Sequence, residues 1–160
     1  MKAKQFVQAL DHAKITAAIG AAERTTSGEI RVFITHRTDV QDAVQRAGER
    51  FLKLGMEKTA GRNGVLLYFA PAVRKFALVG DRGIHAKVGG DGYWQEVVGN
   101  LMQPLLKEGR YTEAIVAAVE EVGRQLAAHF PPGPGDNPNE LPDTVEEEGP
   151  ESDDAPAPRA

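Results

Sequence analysis

The stretch that decides the fold runs from Gly64 to Gly80 and reads GVLLYFAPAVRKFALVG. Its first part, Gly64–Ala70, is one continuous apolar run, which is typical of a central strand buried on both faces. Pro71 ends this run, because proline cannot donate a hydrogen bond to a neighbouring strand. A second short run, Lys75–Val79, follows after only a few residues. The spacing therefore predicts a β-hairpin in the middle of the domain.

The next segment, Gly80–Trp94, reads GDRGIHAKVGGDGYW and is the candidate functional loop. Five of its fifteen residues are glycine, and it also carries two aspartates and one histidine. Loops at strand ends commonly hold ligands in α/β domains, because a rigid scaffold positions them. We therefore expect a functional site to lie here. A helical turn over Ile84–Val88 is an alternative for part of its local structure.

Periodicity predicts the remaining elements. In Glu29–His36, apolar residues alternate with larger or more polar ones, as in a strand that has one more apolar face. Stripes of apolar residues at helical spacing recur in four other segments: Gln5–Arg24, Thr38–Leu54, Tyr93–Met102 and Tyr111–Phe130. Three or four strands among such helices predict an α/β fold. We expect an αβα sandwich with a central mixed sheet of about four strands and helices on both faces.

Capping residues mark the ends of two helices. Thr38 with Gln41 fits a capping box, and Gly55 stands where a C-cap glycine belongs. In the first helical segment Asp11 fits an N-cap, which would make Phe6–Leu10 a separate lead-in. One continuous helix is the alternative there.

Composition and charge exclude several classes of protein. The chain of 160 residues is long enough for one domain with a sizeable core. It has no cysteine, which excludes disulfides and cysteine ligands or nucleophiles. The formal net charge is -4, and no basic cluster is interleaved with aromatic residues, so we expect no nucleic-acid partner. The chain shows no signal-peptide pattern and no membrane span, so we expect a cytoplasmic protein. We also expect it to be a monomer.

Residues 131–160 differ in composition from the rest of the chain. They hold eight of the ten prolines and nine acidic residues, with Arg159 as their single basic residue. Such a composition cannot bury enough apolar surface to offset chain entropy. We therefore predict a domain over residues 1–130 and a mostly disordered acidic tail over residues 131–160. Asn139–Asp143 (NELPD) is a candidate exception that could lie on the domain through Leu141.

Several short motifs occur in an order that resembles the TPM domain. They are Ser27–Val32 (SGEIRV), Asn63–Leu67 (NGVLL), Arg74–Lys75 with Val79–Ile84 (VGDRGI), and Gly109–Tyr111 (GRY). This module is shared by thylakoid-lumen phosphatase-like proteins, a photosystem II repair factor and many bacterial proteins. The resemblance covers residues 12–130, and the NELPD piece is similar to the tail of short bacterial members that consist of this domain alone.

The resemblance implies an αβα sandwich that binds a divalent cation through loops crossing near the strand ends. It also implies phosphatase activity in some relatives and no assigned activity in others. Many members carry an aspartate just before the Arg-Lys pair, where this chain has Ala72 and Val73. We expect a regulatory or interaction module that binds Ca²⁺ or Mg²⁺ and an unknown protein partner. A metal-dependent phosphatase and a metal-free structural interaction domain are the alternatives.

Carboxylates are the candidate metal ligands, because Ca²⁺ and Mg²⁺ prefer oxygen donors. Asp81 and Asp91 lie in the glycine-rich segment, and Glu29 opens a strand. Glu23 is a weaker candidate, whose charge opposes the dipole at the end of the first helix. Each has a plain structural alternative. Asp81 could make a turn, Asp91 could cap the helix at Tyr93, and the two glutamates could be solvated surface charges.

Cations near the glycine-rich segment are candidate ligand contacts. Arg74 and Arg82 could hold a phosphate through paired donors, with charge balance against nearby carboxylates as the alternative. His85 is a candidate ligand or acid/base group, with an ordinary surface histidine as the alternative. No phosphate-binding loop, dinucleotide fingerprint or nucleophile elbow occurs, so no catalytic residue is assigned.

Overall fold

A four-stranded sheet lies at the centre of the computed structural model, which describes residues 2–132 and 145–148. β1 (Glu29–Thr35) runs parallel to β2 (Gly64–Ala70) and to β4 (Val145–Glu148). β3 (Lys75–Gly80) runs antiparallel to β2, and the strand order is β3-β2-β1-β4. The predicted mixed sheet and its hairpin are therefore confirmed.

Helices pack on both faces of this sheet. Within the described residues they are α1 (Ala3–Ala9), α2 (His12–Glu23), α3 (Ala43–Lys53), α4 (Arg82–Val88), α5 (Asp91–Glu96), α6 (Gln103–Lys107) and α7 (Tyr111–His129). A π-helical segment, Val97–Met102, joins α5 to α6, and 3₁₀ turns cover Met56–Lys58 and Pro71–Val73. No helix in this described part is both long and apolar enough to cross a membrane.

The two faces of the sheet bury separate hydrophobic cores. On one face, alternate residues of β1 and β2 such as Val32 and Leu67 pack among residues of α2 and α7. On the other face, Phe33 and Leu66 pack against α3, with Phe51 among the contacts. Because successive strand residues point to opposite faces, β1 and β2 are buried along their whole length. The predicted αβα layers follow directly from this arrangement.

The ends of the first helices test the predicted capping residues. The first helical segment is divided into two helices, and the Asp11 side chain accepts a hydrogen bond from the Lys14 backbone N–H at 3.0 Å. The separate lead-in is therefore the correct alternative. The predicted capping box at Thr38 is wrong, because α3 begins at Ala43 and is capped by Asp42. Gly55 adopts the left-handed conformation, with φ of 72°, and the predicted C-cap glycine is confirmed.

The glycine-rich segment is mostly helical: its prediction as a loop is wrong, and the alternative of a helical turn over Ile84–Val88 is confirmed by α4. It forms α4 and α5, separated by Gly89 and Gly90, whose φ angles are 97° and 88°. Gly80 and Gly83 allow close packing. A Cβ at Gly80 would lie 2.3 Å from the Trp94 ring, and one at Gly83 would lie 2.3 Å from a backbone carbonyl. Composition alone does not distinguish glycines that permit close approach from glycines that form a flexible loop.

β4 is an edge strand built from the acidic run Val145–Glu148. Its three glutamates face two arginines and one histidine: Glu146 contacts Arg31 at 2.7 Å, Glu147 contacts His36 at 2.5 Å and Glu148 contacts Arg50 at 2.6 Å. A charged edge of this kind also discourages pairing with other chains. These four residues belong to the segment predicted to be mostly disordered. The candidate exception Asn139–Asp143 lies outside the described residues.

A side-chain hydrogen bond fastens α5 to α7 and makes stability depend on pH. Tyr93 Oη donates to Glu121 Oε2 at 2.8 Å. Burial raises the pKa of Glu121, but hydrogen bonds from Tyr93, Arg124 and Gln125 outweigh it and lower this pKa below the ordinary 4.5. A lowered carboxyl pKa stabilises the fold above the ordinary value, and this stabilisation disappears as the pH falls through the folded value.

We therefore expect the free energy of unfolding to fall as the pH is lowered from 4.5 through the folded pKa of Glu121. In Tyr93→Phe this fall is expected to be smaller, because one of the hydrogen bonds that lower the pKa is lost. Urea unfolding of both proteins at a series of pH values measures the difference. Equal pH dependence in the two proteins would show that the hydrogen bond does not set the pKa.

Candidate functional site

The sheet register brings three chain segments to one end of the sheet. Glu29 lies opposite Gly64 on the neighbouring strand, and Val65 lies opposite Gly80. The Asp81 backbone N–H donates to the Gly64 carbonyl at 2.9 Å. The starts of β1 and β2 and the end of β3 therefore share one end of the sheet, and residues flanking them are candidates for a common site.

Two of the predicted ligands, Glu23 and Glu29, are buried at this end. Their exposed fractions are 6% and 1%. The Glu23 Oε2 atom accepts a hydrogen bond from the Ile30 backbone N–H at 2.8 Å, which joins the last residue of α2 to the start of β1. Burial excludes the alternative that these glutamates are solvated surface charges. Buried carboxylates require compensating donors or cations, because leaving water costs free energy.

Asn63 completes this group, and sequence reasoning did not select it as a ligand. Asn63 is fully buried. Its backbone carbonyl accepts a hydrogen bond from the Glu29 backbone N–H at 3.4 Å, and its side-chain Nδ2 donates to Ser27 Oγ at 3.2 Å. Its Oδ1 atom is buried and accepts no hydrogen bond from the described residues. A buried amide oxygen without a donor suits a hard cation. We call Glu23, Glu29, Asn63 and Asp81 the acidic end.

Asp81 is already neutralised by a cation of the chain. Its carboxylate accepts two hydrogen bonds from Arg62, from Nε at 2.7 Å and from Nη2 at 2.9 Å. One of its oxygens also accepts from the Arg82 backbone N–H at 2.7 Å, as the N-cap of α4. Sequence reasoning missed Arg62, because a partner 19 residues away leaves no periodic signal. As a metal ligand, Asp81 would have to give up part of this ion pair.

His85 lies within α4, and Asp91 begins α5, beyond the C-terminal end of α4. The Asp91 side chain is 87% exposed and stands 3.7 Å from His85 Nε2. The Trp94 indole donates to His85 Nδ1 at 3.0 Å, so a neutral His85 ring carries its proton on Nε2. The structure therefore does not bring Asp91 to Asp81. Within residues 2–132 and 145–148, no group of three or more Asp, Glu or His side chains could hold a metal ion.

The predicted phosphate contacts are divided between the two ends of the sheet. Arg82 begins α4, directly after Asp81. Arg74 follows the 3₁₀ turn between β2 and β3, at the opposite end of the sheet. The six residues of β3 separate Arg74 from Asp81, which corresponds to about 20 Å of extended chain. Arg74 therefore does not surround the carboxylates.

The fold and the acidic end define a small αβα domain with buried oxygen donors where its parallel strands begin. The model of the TPM domain matches residues 2–125, and the chain belongs to this family. The solved structure of the BA42 protein from the psychrophilic bacterium Bizionia argentinensis is 36% identical, with a TM-score of 0.75. The match covers 86% of this chain and 92% of that one.

A second solved structure, the N-terminal domain of a protein from P. gingivalis, is similar in fold. It is 18% identical with a TM-score of 0.57, and the match covers 76% of this chain and 78% of that one. No curated protein matches the chain.

Proposed function

We propose that this TPM domain is a divalent-metal-binding module that takes Ca²⁺ or Mg²⁺ at the acidic end. The observation that carries the proposal is the burial of Glu23, Glu29 and Asn63, all with side-chain oxygens, at one end of the sheet. Glu23 and Glu29 supply carboxylates, and Asn63 supplies an amide oxygen that accepts no hydrogen bond from the described residues. Such donors fit hard cations, which prefer carboxylate and amide oxygens.

The position of these donors supports a regulatory or interaction role. Glu23 and Glu29 bracket the connection between α2 and β1, residues 24–28. Within this connection, Thr26 Oγ1 donates to the Leu126 carbonyl at 3.1 Å, and the Ser27 backbone N–H donates to the Phe130 carbonyl at 3.0 Å. A cation bound by the two glutamates would order this connection and, through it, the end of α7. The surface formed there is the one we assign to a protein partner.

Metal titration of the chelator-treated protein tests the proposal. We expect calorimetry with CaCl₂ or MgCl₂ to detect binding, and amide shifts in NMR spectra to centre on residues 23–30 and 61–65. Glu23→Gln and Glu29→Gln each remove one carboxylate and are expected to weaken binding by about tenfold or more. Asp91→Asn is the matched control, because its exposed carboxylate lies outside the acidic end, and we expect it to bind like the parent.

Parent-like binding by both glutamine variants would exclude the acidic end. A melting temperature that is the same with metal and with chelator would favour the metal-free interaction domain, because a ligand that binds only the folded state raises stability. The phosphatase alternative loses one of its two candidate phosphate contacts, since Arg74 lies at the opposite end of the sheet from the carboxylates, whereas Arg82 directly follows Asp81.

A further inference from the structure

A cavity of about 470 Å³ lies at the far end of the sheet, away from the acidic end. Its aromatic wall is a continuous row of rings. The Phe6 ring lies 5.0 Å from Tyr111 and 5.5 Å from Phe69, and Phe69 lies 6.0 Å from Phe76. Small-molecule sites have volumes of this order and largely apolar walls with a few polar groups. The size and lining therefore suit a small ligand with an apolar body.

The polar groups at this cavity are cationic. Arg74, Lys75 and Lys107 line it and are exposed, and no Asp or Glu of the described residues is among the lining side chains. Lys75 donates to the Gln41 carbonyl at 2.5 Å, which holds its ammonium group in place. An apolar wall beneath three cations is complementary to an anion that has an apolar body.

Two uncommon backbone features occur at or directly beside this cavity. Arg74 adopts the left-handed conformation, with φ of 55°, although it is not glycine. The π-helical segment Val97–Met102 directly precedes Gln103, Leu106 and Lys107, which line the cavity. Left-handed non-glycine residues and π-helical turns cost stability and are concentrated at ligand sites. These features indicate a binding role independently of charge.

We propose that this cavity binds a small organic anion, namely a carboxylate with an aromatic or branched aliphatic body. The body packs against Phe6, Phe76 and Tyr111. The carboxylate accepts paired hydrogen bonds from the Arg74 guanidinium, whose planar fork matches it, and Lys107 adds a second positive charge. This site is separate from the acidic end, so the proposal does not depend on metal binding there.

NMR titration of the full chain with 4-phenylbutyrate tests this site, with the neutral 4-phenylbutan-1-ol as the matched probe. We expect saturable shifts of the amides around residues 6, 74–76 and 106–111, and binding of the alcohol weaker by about tenfold. Arg74→Asn is expected to weaken phenylbutyrate binding by a similar factor of about ten. Lys53→Gln, an exposed cation on α3, is the control and should bind like the parent.

Asparagine tolerates the left-handed conformation, so we expect Arg74→Asn to melt at or above the parent temperature, and lost binding would then not reflect unfolding. Equal binding by the parent and Arg74→Asn would overturn the proposal, as would the absence of shifts at these amides. It would also be overturned if the combined variant Glu151→Gln, Asp153→Asn and Asp154→Asn shifted the same amides without any probe. In that case, the acidic tail defined above, and not a separate small molecule, would be the occupant of the cavity.

Discussion

Gly83→Ala is expected to destabilise the domain by about 3 kcal/mol. A Cβ at this position would lie 2.3 Å from the Gly61 carbonyl oxygen and 2.6 Å from that of Arg62. Both obstacles are backbone atoms, which cannot rotate away as a flexible side chain could. The Gly83 backbone N–H also donates to the Arg62 carbonyl at 2.9 Å, so the first turn of α4 is held against this segment.

Gly83→Ala distinguishes the steric clash from helix propensity, because the two change the free energy of unfolding in opposite directions. Gly83 lies within a helix, and helix propensity alone predicts that alanine stabilises such a site by about 1 kcal/mol. Gly48→Ala in α3 is the matched control. A Cβ at Gly48 would meet no atom within 4 Å, and we expect the gain of about 1 kcal/mol there. Urea unfolding followed by circular dichroism measures both changes.

A Gly83→Ala protein as stable as the parent would contradict the close approach of α4 to residues 61–62. The approach matters beyond stability, because it holds Asp81 beside Arg62 at the acidic end. If alanine pushes α4 outward, the ion pair between Asp81 and Arg62 should loosen as well. The side-chain NMR signal of Arg62 Nε would report this change directly.

Much of the fold could be predicted because its signals are local. The apolar run Gly64–Ala70 predicted a central strand, the short connection to Lys75 predicted a hairpin, and the stripe over Tyr111–Phe130 predicted a long helix. Each of these signals reflects burial within one element, and the structure has all three elements. The family resemblance was carried by motifs such as Ser27–Val32 and is confirmed by the match to the TPM domain.

The features that escaped prediction depend on contacts between distant residues. The acidic run Val145–Glu148 has few strand-forming residues, and it pairs with β1 where Arg31 and Arg50 neutralise its charges. The partner of Glu146 is 115 residues away in the chain. No periodicity in a single sequence records such a distance, so the strand could not be predicted from composition.

Sequence reasoning selected some residues of the candidate site and grouped others wrongly, because the grouping depends on contacts between distant residues. Alternation of apolar residues correctly placed Glu29 at the start of a strand, because that signal is local, and the parallel register then sets Glu29 opposite Gly64. Asp81 and Asp91 were grouped because both lie in one glycine-rich segment, but α4 separates them. Arg74 and Asp81 were grouped because they are close in sequence, but β3 extends between them. Proximity in sequence misleads wherever an extended or helical element intervenes.

Leu126→Ala is expected to lower the free energy of unfolding by about 3 kcal/mol. Leu126 is fully buried near the end of α7. A Cβ built at Gly28 would lie 2.7 Å from Leu126 Cδ2, so this side chain packs directly on the backbone between α2 and β1. Removing it leaves a cavity beside the connection that Glu23 and Glu29 bracket. Urea unfolding gives the size of the loss.

The reverse change, Gly28→Ala, overfills the same contact. The added methyl group would meet the Leu126 side chain and would lie 3.1 Å from the Asn63 carbonyl, so we expect a loss of about 2 kcal/mol. In the double variant, the methyl group at position 28 enters the space that Leu126 leaves. The combined loss should therefore be smaller than the sum of the single losses by about 1 kcal/mol, as found for residues in direct contact.

Strict additivity would show that Gly28 and Leu126 do not share a contact surface, and that α7 does not pack on the connection beside the acidic end. The same variants also separate stability from binding. If a cation orders this connection, Leu126→Ala should weaken Ca²⁺ binding although it removes no ligand, because part of the binding free energy would then be used to order a looser loop. Gly48→Ala changes stability at a distant helix and should leave Ca²⁺ affinity unchanged.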